Sequence, residues 1–305
     1  MKYININEQE TRASQVVLGC MRIADMSAGE LDALVGASLE AGINTFDHAD
    51  IYGGGMSETR FGELLAGQPG LREKMFIQSK CGIREGFYDF SAEHILKSVD
   101  GILQRLHTDH LNLLILHRPD VLMDTDKVAE AFEKLEASGK VLDFGVSNMN
   151  PMQIELLQRC TKKHLCVNQL QLSAAYTKMI DEAVNVNMTS ECAAMSTGSV
   201  MDYCRLRGIA IQSWSSLQYG FFEGSFLGSS KYPRLNEQLG RLGEKYGVSA
   251  GAIAIAWILR CPAVKQAVIG TTKPSRVAEL AAAATVTLDR AEWYQIYTSA
   301  GNQLP

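Results

Sequence analysis

Eight short runs of apolar, largely β-branched or aromatic residues recur along this chain, with longer amphipathic stretches between them. The runs are Val16–Leu18, Thr45–Asp47, Phe76–Lys80, Leu111–Leu116, Asp143–Ser147, Cys166–Gln169, Ala210–Trp214 and Gln266–Ile269. Between them, Ser91–Leu106 places Ile95, Val99, Ile102, Leu103 and Leu106 at helical spacing, and Met123–Ser138 reads as a helix ended by Gly139. Strand followed by helix, repeated without any linker-like stretch, predicts an α/β fold: a closed (β/α)8 TIM barrel in which residues 1–305 form a single domain. A doubly wound sheet would alternate in the same way, but no G-x-G-x-x-G turn follows the first strand.

The chain's 305 residues exceed the roughly 250 of a plain barrel, and the surplus falls in identifiable places. Met1–Glu10 alternates roughly like a strand and is expected to join a hairpin plugging the bottom of the barrel. Ser173–Thr197 follows the sixth strand, and Gln218–Pro233 follows the seventh with Tyr219, Phe221, Phe222 and Phe226. Beyond Leu288, Asp289–Ser299 reads as an additional helix. Barrel chemistry gathers on the loops after strands, so the first two excess loops are candidate walls of a substrate pocket; the bland alternative is tolerated surface insertion.

Composition narrows the function classes. A formal net charge of −5 without a basic stripe speaks against nucleic acid as partner. The seven cysteines, Cys20, Cys81, Cys160, Cys166, Cys192, Cys204 and Cys261, contain no C-x-x-C pair, so neither a disulfide frame nor a zinc knuckle is expected. Free thiols suit a reducing compartment. Met1–Glu10 lacks a signal-peptide core, and the most apolar stretch, Ala250–Leu259, is too short to cross a bilayer. The expectation is a cytoplasmic protein without a membrane partner, a monomer or weak oligomer.

In a barrel, whatever stands at the C-terminal end of each strand faces the active site. Those positions here hold Asp47, then Tyr52 in the loop beyond, Lys80, His117, Ser147–Asn148, Gln169 and Trp214–Ser215. Each has an ordinary explanation taken singly: Asp47 as a turn cap, Lys80 as a snorkelling side chain, His117 as a core histidine. Together they form an acid–base set. A phenol titrating near 10 donates a proton readily only where its phenolate is stabilised, which an adjacent ammonium does. A carboxylate keeps that ammonium charged, and a neutral imidazole can aim a substrate oxygen.

The stretch Ile43–Gly53, with Asp47 and Tyr52 five apart, resembles the signature of the aldo-keto reductase superfamily. Phe76–Lys80, Leu114–Asp120 and Gly145–Asn148 are similar, in register, to its lysine, histidine and fifth-strand motifs. Within that family the likeness is to bacterial oxidoreductases of the YdhF type, carried by His117-Arg118-Pro119-Asp120, Leu122-Met123-Asp124 and Ser138-Gly139-Lys140-Val141. The resemblance implies an enzyme that reduces aldehyde and ketone carbonyls without metal. In that reading Tyr52 is the general acid, Lys80 and Asp47 tune it, His117 orients the small-molecule carbonyl substrate, and NADPH supplies the hydride.

The cofactor site carries over by the same resemblance. Ser147, Asn148 and Gln169 would hold the carboxamide, Trp214 would stack on the nicotinamide, and Ser215, Ser216 and Leu217 would follow the pyrophosphate with backbone amides. Many relatives have Ser-Pro-Leu at that last position. Gly270, Thr271, Thr272, Lys273 and Arg276 follow the last strand and open a helix, where free amides and two cations suit a 2′-phosphate, hence NADPH over NADH; the bland reading is an ordinary capped helix. Glu279 would approach the adenine, although Leu280 stands where relatives often have Asn; Met21 and Arg22 would line the cleft.

Two other classes compete. One is an NADPH-binding regulatory or sensor protein on the same fold, like the potassium-channel β subunits. The other is a metal-dependent hydrolase using His48, Asp50 and His117, for which six histidines in all, with no cluster at later strand ends, is a poor basis.

Overall fold

A computed structural model describes residues 1–6, 12–189, 193 and 196–305. Eight parallel strands close into a barrel in sequence order, the fifth pairing with the sixth to complete the ring. They are Val16–Gly19, Thr45–Asp47, Phe76–Cys81, Leu111–Leu116, Val141–Ser147, Leu165–Gln171, Ala210–Trp214 and Val264–Ile269. All eight expected runs are strands. The fifth begins earlier than its apolar run because Val141 pairs with Leu111, and the sixth continues to Gln171, which pairs with Trp214.

Local capping chemistry sets the helix ends. Ser91 accepts from the His94 amide and starts Ala92–Leu106. Asp124 accepts from the amides of Asp126 and Lys127, so the next helix is Thr125–Ala137 rather than starting at Met123. Asp289 and Glu292 form a reciprocal capping box at the head of Arg290–Ser299, the expected C-terminal helix. That helix is pinned by Trp293, whose ring stacks 5.0 Å from that of Trp257; each indole N–H donates to the other residue's carbonyl.

The bottom of the barrel is plugged. Tyr3–Ile4 pairs antiparallel with Ala13–Ser14, and Ile6 and Ala13 pack with Phe76, Leu113, Ile115 and Val167. Residues 7–10 of the expected N-terminal strand lie outside the described residues. Of the long loops, the one after strand six carries a helix, Lys178–Val184, joined to the C-terminal helix by Tyr297 Oη donating to Asp181 at 2.8 Å. The loop after strand seven is a small hairpin, Gln218–Tyr219 against Gly224–Ser225, with Phe221 and Phe222 exposed at its tip and Phe226 buried beneath. A second hairpin, Ile83–Arg84 against Phe87–Tyr88, was not expected from the sequence. Six cysteines are free thiols, while Cys192 lies outside the described residues. Among the described residues no helix is long and apolar enough to cross a membrane.

Candidate active site

Strand alternation puts Phe76, Gln78 and Lys80 on one face, and the barrel makes that face interior. Lys80, with no solvent exposure, therefore rises through the core instead of snorkelling out. Its ammonium donates to Asp47 Oδ2 at 2.7 Å, to the His48 carbonyl at 2.8 Å and to Tyr52 Oη at 3.2 Å. Three acceptors for three N–H bonds is full satisfaction, which a buried cation requires.

Tyr52 reaches this point because the chain turns sharply after strand two. Its amide donates to the Ala49 carbonyl, and a single 3-10 turn, Tyr52–Gly55, leads into the helix Met56–Gly67. Gly53 has φ +58°, and a Cβ there would lie 2.5 Å from Ala24 Cβ, so this position accepts only glycine without displacement. The imidazole of His117 faces the phenol edge-on, ring centroids 6.0 Å apart. The structure thus brings Asp47, Tyr52, Lys80 and His117 together.

Electrostatics assign protonation states. Burial pushes the Tyr52 phenol above its usual value of 10; the Lys80 charge opposes this without overcoming it. Burial lowers Lys80, but Asp47 and then Tyr52 reverse the effect and leave it raised. Burial, followed by the charges of Lys80 and Arg118, holds His117 well below the ordinary histidine range, so it is a neutral imidazole at pH 7. The resting site is a protonated phenol, an ammonium, and an uncharged histidine whose Nδ1 has no partner among the described residues.

Asp47 is held from below by something the sequence reading missed. Its Oδ1 accepts from Gln78 Nε2 at 2.5 Å and Gln169 Nε2 at 2.9 Å. Gln78 and Gln169 both donate to Gln212 Oε1, and Gln212 Nε2 donates back to Gln78 and on to Gln266. Gln266 donates to the Ser14 carbonyl in the bottom hairpin. Barrel interiors are ordinarily filled by branched aliphatics. Here four buried glutamines from strands three, six, seven and eight form a hydrogen-bonded stack from the floor to the carboxylate.

Around the mouth, the expected cofactor residues fall into two groups. Ser147 Oγ donates to the Gln169 carbonyl and accepts from Asn148 Nδ2, while Asn148 Oδ1 accepts from the Trp214 indole. Ser147, Asn148, Gln169 and Trp214 are therefore contiguous. After strand seven, Ser215 has φ +51°, and the Ser216 hydroxyl is buried against the Ser213 and Val268 carbonyls. Among the described residues, the amides of Ser215, Ser216 and Leu217 donate to no protein acceptor. Neither do those of Thr271 and Thr272, across the cleft at the head of the helix Pro274–Ala281. Unpartnered amides on both walls fit the phosphates of a dinucleotide. Arg22 bridges the cleft to the Gly270 carbonyl, Met21 is exposed beside it, and Lys273, Arg276 and Glu279 stand exposed along the second wall.

His48 and Asp50 do not join His117. His48 is fully buried edge-on against Phe61, and burial lowers its pKa to about 3. Asp50 is raised to about 7 by burial and by the Glu58 charge. Among the described residues no three His, Cys, Asp or Glu side chains are grouped to hold a metal.

Comparison with known proteins agrees with this architecture. Residues 15–299 match the model of the aldo/keto reductase family. The chain is 37% identical to 6-dehydroglucose reductase of Agrobacterium fabrum over 94% of both chains, and 37% identical to oxidoreductase YdhF of Escherichia coli over 97% of both. The crystal structure of a thermostable aldo-keto reductase, Tm1743, in complex with the inhibitor epalrestat superposes with TM-score 0.78 over 98% of this chain and 100% of that one; at 20% identity it speaks to the fold alone. With a matching family model along most of its length and relatives aligned nearly end to end, this chain belongs to the aldo/keto reductase family and is an NAD(P)H-dependent oxidoreductase.

Proposed function

We propose that the whole chain, 1–305, works as one barrel that reduces aldehyde and ketone carbonyls with NADPH and uses Tyr52 as the proton donor. The observation that carries this is the buried chain of contacts from Asp47 through Lys80 to Tyr52, with His117 facing the phenol across the strand ends. A carbonyl oxygen placed between Tyr52 Oη and the imidazole accepts hydrogen bonds from both. As negative charge develops on that oxygen, the phenol proton moves to it. The charge left on the phenolate is then met by the ammonium 3.2 Å away. Asp47 keeps the ammonium charged and aimed, and water restores the phenol proton afterwards. A dihydronicotinamide bound there would supply the hydride for the carbonyl carbon.

Ser147, Asn148 and Gln169 would receive the carboxamide, Trp214 the ring, and the amides of Ser215–Leu217 the pyrophosphate. The unpartnered amides of Thr271 and Thr272, with Lys273 and Arg276, suit a 2′-phosphate, and Met21, Arg22, Gly270 and Glu279 complete the cleft. The test is steady-state NADPH oxidation over a panel of aldehydes with the wild type and Tyr52→Phe. Reduction by the wild type, a loss of about 10²–10⁴-fold in kcat in the variant and an unchanged NADPH Kd are expected. Tight NADPH binding with no turnover of any carbonyl would instead favour a nucleotide sensor.

A further inference from the structure

Next to the catalytic histidine stands an arginine that the mechanism above does not use. The Arg118 guanidinium lies over the Trp214 ring at 5.3 Å and near the Phe221 ring at 5.7 Å. Among the described residues it makes no ion pair and no hydrogen bond to a protein acceptor. A half-buried guanidinium held by two aromatic faces, with its N–H groups unpaired among the described residues, is a donor site suited to an anion. Its charge is felt at the imidazole, which places the two groups in one electrostatic field.

Arg118 lines a cavity of about 270 Å³ that opens between the loops after strands four to seven. The cavity shares Asn148 and Trp214 with the catalytic mouth. Lys178 supplies a second cation, Asn150 and Gln171 add amides, and no acidic residue is present among the described lining residues. In a chain of formal net charge −5, a cleft with two cations and, among its described lining residues, no carboxylate is a local reversal of sign. We propose, building on the carbonyl-reductase reading, that the preferred substrate carries a fixed anionic group, a carboxylate or a phosphate. Arg118 receives that group while the carbonyl end lies against His117 and Tyr52. The amides beside it suit hydroxyl groups between the two ends.

The experiment uses two matched pairs of aldehydes that differ in charge: 4-carboxybenzaldehyde with its methyl ester, and glyceraldehyde 3-phosphate with glyceraldehyde. In the wild type the charged member of at least one pair should be favoured about 10-fold or more in kcat/KM; which pair responds distinguishes carboxylate from phosphate. Arg118→Met should lower kcat/KM for the charged member by about 10- to 100-fold and change the neutral one less than about 3-fold. Arg118→Lys should recover part of the loss, and the NADPH Kd should not move. Equal treatment of charged and neutral members by the wild type, or equal loss for both in Arg118→Met, would overturn the proposal. Calorimetry of 4-carbamoylbenzoate, which has no hydride to give, on the NADP⁺-bound enzyme reads the anion site without turnover. Binding that weakens in Arg118→Met would support the site even if no aldehyde were reduced; binding that does not would sink it.

Discussion

The ammonium of Lys80 lies 3.2 Å from the phenol oxygen of Tyr52, and the lysine is wholly enclosed by protein. A cation so placed is tolerable only because Asp47, 2.7 Å away on its other side, is enclosed with it. In the proposed mechanism, catalytic tuning and folding stability are thereby tied to the same pair.

Breaking the pair on one side should cost more than removing it altogether. Lys80→Met leaves the Asp47 carboxylate buried without its cation and is expected to lower unfolding free energy by about 3–5 kcal/mol. Adding Asp47→Asn should return a good part of that loss, because the orphaned charge disappears. Urea unfolding of the two single variants and the double variant measures the coupling; additive losses would show that the two charges do not depend on each other. All three variants should lose reductase activity.

The protonation states dictate a pH profile. His117 is already neutral at pH 7, so kcat/KM for reduction should be flat through the ordinary histidine range near pH 6.5. It should fall only in alkali, as Tyr52, raised above 10, loses the proton it must donate. A limb that declines with rising pH at about 6.5 would mean the imidazolium is the active form. The sign for stability is the opposite limb. Below about pH 6.5 the unfolded chain takes up a proton at residue 117 that the folded chain refuses. This contribution to stability is therefore lost as pH falls, and His117→Gln should make that part of the curve less steep, leaving the share of the buried His48.

Gln212 gives a test of the glutamine stack. Gln212→Leu removes four hydrogen bonds: the buried Oε1 atoms of Gln78 and Gln266 lose their donor, and Gln78 and Gln169 each lose one acceptor while keeping Asp47 as the other. Destabilisation of about 1–3 kcal/mol is expected, with a lower kcat from a less firmly held Asp47. Thermal melts together with kcat measure both effects. A variant as stable and as fast as the wild type would make the stack mere filling.

Cofactor preference should reside in the second wall of the cleft. Arg276→Ala is expected to raise the Kd for NADPH by about 10-fold or more and that for NADH by less than about 3-fold, since only the former carries the 2′-phosphate. Fluorescence titration with both nucleotides decides it; equal weakening would assign the arginine another role.

Much of the barrel was legible because each strand is a compact apolar run whose polar terminus breaks the pattern. His117 after Leu113–Leu116 stands out for that reason, and Lys80 as the one charged residue of its strand. The glutamine stack was not legible. Gln78, Gln212 and Gln266 lie one to a strand in three strands far apart in sequence, and only closure of the barrel sets them side by side. Arg118 was visible within a motif, but that no counter-ion meets it among the described residues is a property of three-dimensional surroundings. The small hairpin at Ile83–Tyr88 did leave a signal, the Glu85-Gly86 turn with Gly86 at φ +82°, but each of its strands is only two residues long.

The reciprocal indole clasp between Trp257 and Trp293 has an optical consequence. These are two of the chain's three tryptophans, both sealed in apolar surroundings on the barrel's outer layer, away from the cleft. Trp214, half-buried at the mouth, is the third. The intrinsic tryptophan emission of this protein should therefore combine a steady blue-shifted background from one locked couple with a solvent-sensitive reporter at the cleft. Occupancy there should then be readable from Trp214 emission without attaching any dye.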